Sequence, residues 1–391
     1  MTHLAGSSRL LRAMNESAAL AHLLEHGQLT RAELRELTGL SKPTVSDAVR
    51  RLTDAGLAVV VGHVSAGPGP NAEVYAANPD AAYAIAVSVR ETAFTEEPAL
   101  VAAVCDVSGE VRARVERPVD FQGTDPVDAV ARTVEELRAK VGGRGDDGIG
   151  YVQIGVAGAY NPRTETIHHV DVPGWNRPGL VGELRERIGM RVGVDNDVNL
   201  AAVAERRRGV VGDAEGFALL WFAEGLGLAI DLGGTLLRGA RGGAGEIGYM
   251  PLYAADGRQY GDFQDLVGGR AVLSLASEHG VPGETPAEAV AAATESAGAG
   301  EAFLTALADR IVVGLAAVVA VLDPPLVVLA GEVAQAGGEP LRAAVSTALQ
   351  RTATLETAVE ITTITEDAVL LGGLDAGLAE VREALLASLH H

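Results

Sequence analysis

Apolar positions recur at helical spacing over Leu10, Leu11, Met14, Ala18, Leu20, Leu23 and Leu24 and stop at Gly27, which predicts a first amphipathic helix. Thr30 followed by Glu33 is a capping-box pattern for a short second helix, Arg31 to Thr38, with Leu34 and Leu37 on one face and Gly39 in the turn after it. Ser41 can cap a third helix that has Pro43 in its first turn, runs to about Ala55 and is stopped by Gly56. Two strands, Leu57 to Val61 and Glu73 to Ala76, then flank a Gly/Pro-rich loop over 62–71. Three short helices and a hairpin make a winged helix-turn-helix layout.

On the third helix Val45, Ala48, Val49 and Leu52 share one face, which turns Lys42, Thr44, Ser46, Asp47, Arg50 and Arg51 outward. A helix that enters a major groove needs small polar groups near its N-terminus for base edges and cations for the backbone. Lys42, Arg50 and Arg51 are the expected phosphate contacts, with Thr44, Ser46 and Asp47 nearer the base edges, and the capping Ser41 completes the DNA-binding set. A solvated helical hairpin with no partner is the alternative, and the wing argues against it.

Beyond Pro79 strands and helices alternate. Ala81 to Val89, Leu100 to Val107 and Val111 to Val119 read as strands, with Gly109 turning the last pair. Pro126 to Val141 and Leu180 to Ile188 read as helices, and Gly150 to Val156 as a buried strand ending in Gly155-Val156-Ala157-Gly158. Another strand runs through Val192-Gly193-Val194-Asp195-Asn196-Asp197 directly into an Ala-rich helix. That junction puts Asn196 and Asp197 at a helix N-terminus beside a cleft, where a carboxylate can accept a hydroxyl proton or serve only as a cap. The class is α/β.

At 391 residues the chain has room for two or three domains. Hydrophobic residues at 48% and charged ones at 21% exclude a disordered chain, and no apolar run long enough to span a bilayer is evident. The N-terminus lacks a signal-peptide pattern, so the cytoplasm is expected. The formal charge of −21 is unevenly spread: residues 1–80 hold seven Lys/Arg against eight Asp/Glu, so nearly all of the excess lies in the body. The head is the part able to approach a polyanion. Cys105 is the only cysteine, which excludes an intramolecular disulfide and any zinc site of several thiolates; it reads as core.

The stretches Leu29-Thr30-Arg31-Ala32-Glu33-Leu34 and Thr38-Gly39-Leu40-Ser41-Lys42-Pro43-Thr44-Val45-Ser46 resemble the DNA-binding head of the ROK (repressor, open reading frame, kinase) family. The resemblance continues through Gly155 to Gly158, Asn196-Asp197, Gly245-Glu246-Ile247-Gly248-Tyr249, Leu322-Asp323-Pro324-Pro325 and Gly331-Glu332, nearly the whole chain. It implies an N-terminal winged helix-turn-helix on an α/β two-lobed, actin-like sugar-kinase fold. It also implies one sugar site lined by Gly158, Asn196, Asp197 and Glu246, the Asp being the base in the kinases of the family.

Several departures bear on function. The family's Asp-x-Gly-Gly-Thr phosphate loop should follow the first body strand, but Ser88-Val89-Arg90-Glu91-Thr92-Ala93 stands there, without the carboxylate or the glycines. Asp231-Leu232-Gly233-Gly234-Thr235 spells the motif too late in the chain and is expected to turn a hairpin. The family's cysteine-rich zinc loop is replaced by Asp256-Gly257-Arg258-Gln259-Tyr260-Gly261-Asp262-Phe263, and its His by Tyr249, so no metal and no cofactor are expected. A further sugar-binding Glu of the family falls at Gln264, with Asp265 adjacent. The wing carries Gly67-Pro68-Gly69-Pro70 in place of Gly-Arg-Pro.

The expected organisation is a head over 1–80, a first lobe over 81–194 to which 375–391 return, and a second lobe over 195–374 that carries dimerisation and one side of the sugar site. The expected function is a DNA-binding repressor of carbohydrate-related genes without kinase activity. Its expected partners are a double-stranded operator, a sugar effector through Asn196, Asp197, Glu246, Tyr249 and Gln264, and further copies in a homodimer or homotetramer. A sugar kinase with an accessory head and a scaffold with both sites vestigial are the rivals.

Overall fold

The computed structural model of the chain describes residues 2–65, 71–90, 98–141, 149–170, 172–254, 256–352 and 356–390. The head consists of helices Thr2–His26, Arg31–Thr38 and Lys42–Asp54 and a three-stranded sheet. Strand Ala72–Ala77 lies at the centre of that sheet, between Leu29–Thr30 and Ala58–Val64. The predicted capping box forms: Glu33 N–H donates to Thr30 Oγ1 at 3.3 Å and Thr30 N–H to Glu33 Oε2 at 2.7 Å. The apolar face of the third helix is buried as its spacing requires, whereas Leu37 is exposed beside the buried Leu34. Leu10, Leu11 and Met14 are also exposed, each by more than half, whereas Ala19, Leu20 and Leu23 further along the helix are buried in a cluster with the rest of the head and the C-terminal helix. The wing residues Gly67 to Pro70 lie outside the described residues.

Each body lobe is built on a five-stranded sheet of the same pattern. In the first, the order is Val192–Asn196, Ile149–Val156, Tyr83–Arg90, Ala99–Asp106, Val111–Pro118. In the second it is Thr235–Leu236, Leu226–Leu232, Gly216–Phe222, Leu326–Ala330, Ala358–Ile361. In each sheet three consecutive strands pair as antiparallel neighbours, and two later strands join in parallel beside the first of the three. The parallel strands are reached through helices, which explains their continuous apolar runs. Gly233 and Gly234 form the two-residue turn of the last antiparallel pair, both at positive φ (64° and 82°), so the late Asp-Leu-Gly-Gly-Thr is a hairpin.

Two helices join the lobes. Asp197–Arg208 buries Val198 and Ala202 against the second sheet and packs along the C-terminal helix Ala368–Ser388. A Cβ at Gly372 would fall 1.7 Å from the carbonyl oxygen of Leu200, so glycine is what allows the two backbones to touch. The C-terminal helix in turn buries Leu370, Leu374, Leu378 and Val381 in one apolar cluster with Ala84 and Ala86 of the first sheet and Leu20, Leu23, Val49 and Leu52 of the head. Helix Ala299–Leu322 corrects the expectation that no apolar segment reaches membrane-spanning length. By length and composition it does, yet Phe303, Leu307, Ile311, Leu315 and Val319 fill the core of the second lobe, where an inward-packed helix is apolar for that reason.

Candidate functional sites in the head and the cleft

On the third helix the expected DNA-facing residues fall on one outward surface, but their side chains are not all free. Ser41 caps the helix: its Oγ accepts the Thr44 N–H at 3.4 Å and shares a hydrogen bond with Thr44 Oγ1 at 2.8 Å. Lys42 is exposed and Ser46 half-buried. Both oxygens of Asp47 are taken, one by Arg50 Nη2 at 2.7 Å and the other by Arg51 Nε at 3.0 Å. Arg50 also donates to Asp54 at 3.0 Å, and Arg51 lies 3.6 Å from Glu16. The two guanidinium groups hold the Asp47 carboxyl below its usual range. Asp47 therefore orients two arginines here, and the base contact expected of it would require these bonds to open. The pairings within the helix stand at i, i+3 and i, i+4 and were legible in the spacing, whereas the approach of Glu16 from the first helix was not.

The expected sugar residues centre on the strand-to-helix junction at Val192–Asn196 and Asp197–Arg208. Asn196, not Asp197, is the cap: its Oδ1 accepts the N–H groups of Val198 at 2.9 Å and Asn199 at 3.1 Å, and its Nδ2 donates to the Gly158 carbonyl at 3.2 Å. Asp197 takes the first helical position, with one oxygen accepting the Val198 N–H at 2.8 Å. Burial pushes its carboxyl up to about 6, helped by the negative charge of Glu246, against the lowering effect of the Val198 N–H. Burial raises the Glu246 carboxyl as well, and His169 opposes that shift. The Glu246 charge is thus felt at Asp197, the residue next to the Asn196 that bonds the Gly158 carbonyl.

Tyr249 is exposed and its ring meets that of His169 at 4.9 Å between centroids with 45° between the planes. Gln264 is committed elsewhere: its Oε1 accepts the Leu226 N–H at 3.0 Å and its Nε2 donates to the Glu224 carbonyl at 3.3 Å, stapling the turn between two strands of the second sheet. Asp265 forms a capping box with Asp262. The stretch that replaces the zinc loop forms a small ribbon, Pro251–Tyr253 with Gln259–Asp262. Of the altered phosphate loop, Ser88 to Arg90 end the first strand and Arg90 pairs with Glu116, while Glu91 to Ala93 lie outside the described residues.

Two residues went unnoticed in the sequence. Asp195 is buried and holds the junction: it accepts from Asn199 Nδ2 at 3.0 Å, from the Asn196 N–H at 2.9 Å and from Arg238 at 2.9 and 2.7 Å. His169 faces Glu246 and Tyr249 from a loop with φ of 55°. Asp195 could have been suspected from its place in Asp195-Asn196-Asp197, but Arg238 lies 43 residues away and leaves no local trace.

Comparison with known proteins supports the same architecture. The MarR family profile matches residues 11–67 and the ROK family profile residues 98–376. The xylose repressor of Caldicellulosiruptor bescii is 23% identical over 354 residues, covering 83% of this chain and 84% of that protein. A glucokinase of Streptomyces coelicolor is 29% identical over 184 residues, covering 46% and 56%. Among solved structures, a ROK family transcriptional regulator described as a homologue of E. coli MLC superposes with a TM-score of 0.73 at 17% identity, covering 97% of this chain and 99% of its own. The ROK hexokinase of Thermus thermophilus gives 0.63 at 26% identity, covering 77% and 99%. A profile match across well over half of its length makes this chain a member of the ROK family.

Proposed function

We propose that this chain is a DNA-binding transcriptional repressor of carbohydrate-related genes, whose winged head reads an operator and whose cleft takes a sugar effector without phosphorylating it. The observation that carries this reading is the union of a MarR-type head with a ROK body, in the arrangement shared with proteins named xylose repressor along most of their length. The division of labour follows the chain: head in 1–80, first lobe in 81–194 with 375–391, second lobe in 195–374. Ser41, Lys42, Thr44, Ser46, Arg50 and Arg51 face the operator. Gly158, Asn196, Asp197, Glu246 and Tyr249 face the sugar, and Gln264, bonded to Leu226 and Glu224, could join them only by giving up those bonds. Two-fold operators present half-sites about 34–36 Å apart, so a homodimer or homotetramer is the assembly required, and the cytoplasm the compartment.

A sugar can loosen DNA binding only by preferring one arrangement of lobes and heads over another. The C-terminal helix supports such coupling, since it packs on the helix that starts at Asp197 and shares an apolar cluster with the head. Fluorescence anisotropy against the DNA upstream of the protein's own gene, with excess scrambled duplex, is the first test. Tight binding that survives the competitor is expected, and the sugar that releases it identifies the effector.

Asp197 favours a second reading, as a sugar kinase. A carboxyl raised to about 6 suits a general base near neutral pH. The substitutions at Ser88 to Arg90 oppose this reading, because the phosphate-binding glycines are absent there. A coupled ADP-release assay over a panel of hexoses and pentoses should show no sugar-dependent turnover. Turnover abolished by Asp197→Asn would establish the kinase.

A further inference from the structure

The last turn of the first helix carries three ligand-type side chains on one side. His22, Glu25 and His26 stand at i, i+3 and i+4, the spacing that places side chains above one another on a helix. His22 Nδ1 lies 3.9 Å from Glu25 Oε2, and His26 Nε2 lies 3.7 Å from the same oxygen. One ligand atom from each residue falls within 4.8 Å of the others. Bonds of about 2.0–2.2 Å in a tetrahedral zinc site put neighbouring ligand atoms roughly 3.3–3.6 Å apart. The two imidazoles stack 5.6 Å apart with 15° between their planes, so binding one ion requires the rings to turn until both in-plane lone pairs converge.

Two further observations point to a cation. His22 Nδ1 is buried and makes no hydrogen bond, leaving a lone pair or a proton unsatisfied at the inner edge of the group. The helix ends at His26, so its unpaired carbonyls present the negative end of the macrodipole to this turn. Among the described residues it is the one group of three histidine, cysteine or carboxylate side chains arranged to hold a metal ion. It owes nothing to the cysteine-rich loop that the body lacks.

We propose that His22, Glu25 and His26 form a site for a divalent transition-metal ion of the zinc type, with a fourth position open to water. Two imidazole nitrogens and one carboxylate oxygen form a borderline donor set, which suits Zn²⁺; Mg²⁺ and Ca²⁺ take oxygen ligands. The ion would tie His22, one turn inside the helix, to His26 at its end, immediately before the Leu29–Thr30 strand and the second helix. It would therefore stiffen the joint from which the DNA-facing part of the head extends.

The test uses the full-length chain without an affinity tag, stripped with EDTA and titrated with Zn²⁺ against a chromophoric chelator. Stoichiometric uptake is expected. Groups that merely support a metal ligand are worth about 10–100-fold in affinity, so His22→Ala and His26→Ala should each weaken uptake at least about tenfold. Glu25→Gln, at an exposed position that packing does not need, should weaken it in the same direction. His390 approaches the same helix, 3.2 Å from Ser17 Oγ, and His390→Ala should leave uptake unchanged. No uptake by the unaltered chain, uptake insensitive to all three ligand substitutions, or uptake abolished by His390→Ala would overturn the site.

Discussion

Asp197 makes the pH dependence of the cleft predictable. Its carboxyl titrates near 6 in the folded chain and near 3.8 when unfolded, so the folded state holds the proton more tightly. Stability from this group is present below the unfolded value and is lost as pH rises through 6. Asp197→Asn has no such loss. The variant should gain on the unaltered chain by about 1–3 kcal/mol between pH 4 and pH 7, read as a widening gap in melting temperature. A gap that does not change with pH would mean that solvent reaches the carboxyl freely. In the head, Arg50→Ala should weaken binding to all duplexes alike and reduce the salt slope by about one. Asp47→Asn should do the reverse, removing one carboxylate from each guanidinium group while Asp54 and Glu16 stay beside them, and raising affinity for scrambled DNA in the same anisotropy assay.

Where an element's ends are set by its own residues, the sequence is a sufficient guide. Helices Arg31–Thr38 and Leu180–Ile188 run over the predicted residues because a capping box or a terminal glycine fixes each end locally. The Gly233-Gly234 turn is legible for the same reason. Periodicity states which residues share a face but not what covers it, so Leu10, Leu11 and Met14 lie uncovered on a helix whose later turns are buried. Nor does it show that Gln264 is spent on a neighbouring turn, or that Arg238 completes the Asp195 cluster, since both depend on folding of distant segments. Packing of Asp197–Arg208 against Ala368–Ser388 is the element-scale feature most open to test. Gly372→Ala places a methyl group against the Leu200 carbonyl and should cost at least about 2 kcal/mol, seen as an earlier urea midpoint.

At the scale of the whole molecule, the first helix meets the C-terminal helix. Ser17 lies 3.5 Å from the Leu386 carbonyl, and Leu385, Leu386 and Leu389 pack against the cluster that also holds Leu20 and Leu23. Leu386→Asp should loosen that seam, opening the segment around 78–82 to limited proteolysis and lowering operator affinity while the third helix stays intact. Proteolysis at the unaltered rate would mean that the head is held without the C-terminal helix. This shared core also bears on how such regulators can be recombined. A reader module grafted from one relative to another at the end of the head, near residue 80, would leave its own apolar underside facing a foreign C-terminal helix. Working chimaeras should therefore need the tail exchanged along with the head, so that the inherited unit is discontinuous: the first 80 residues together with the last two dozen.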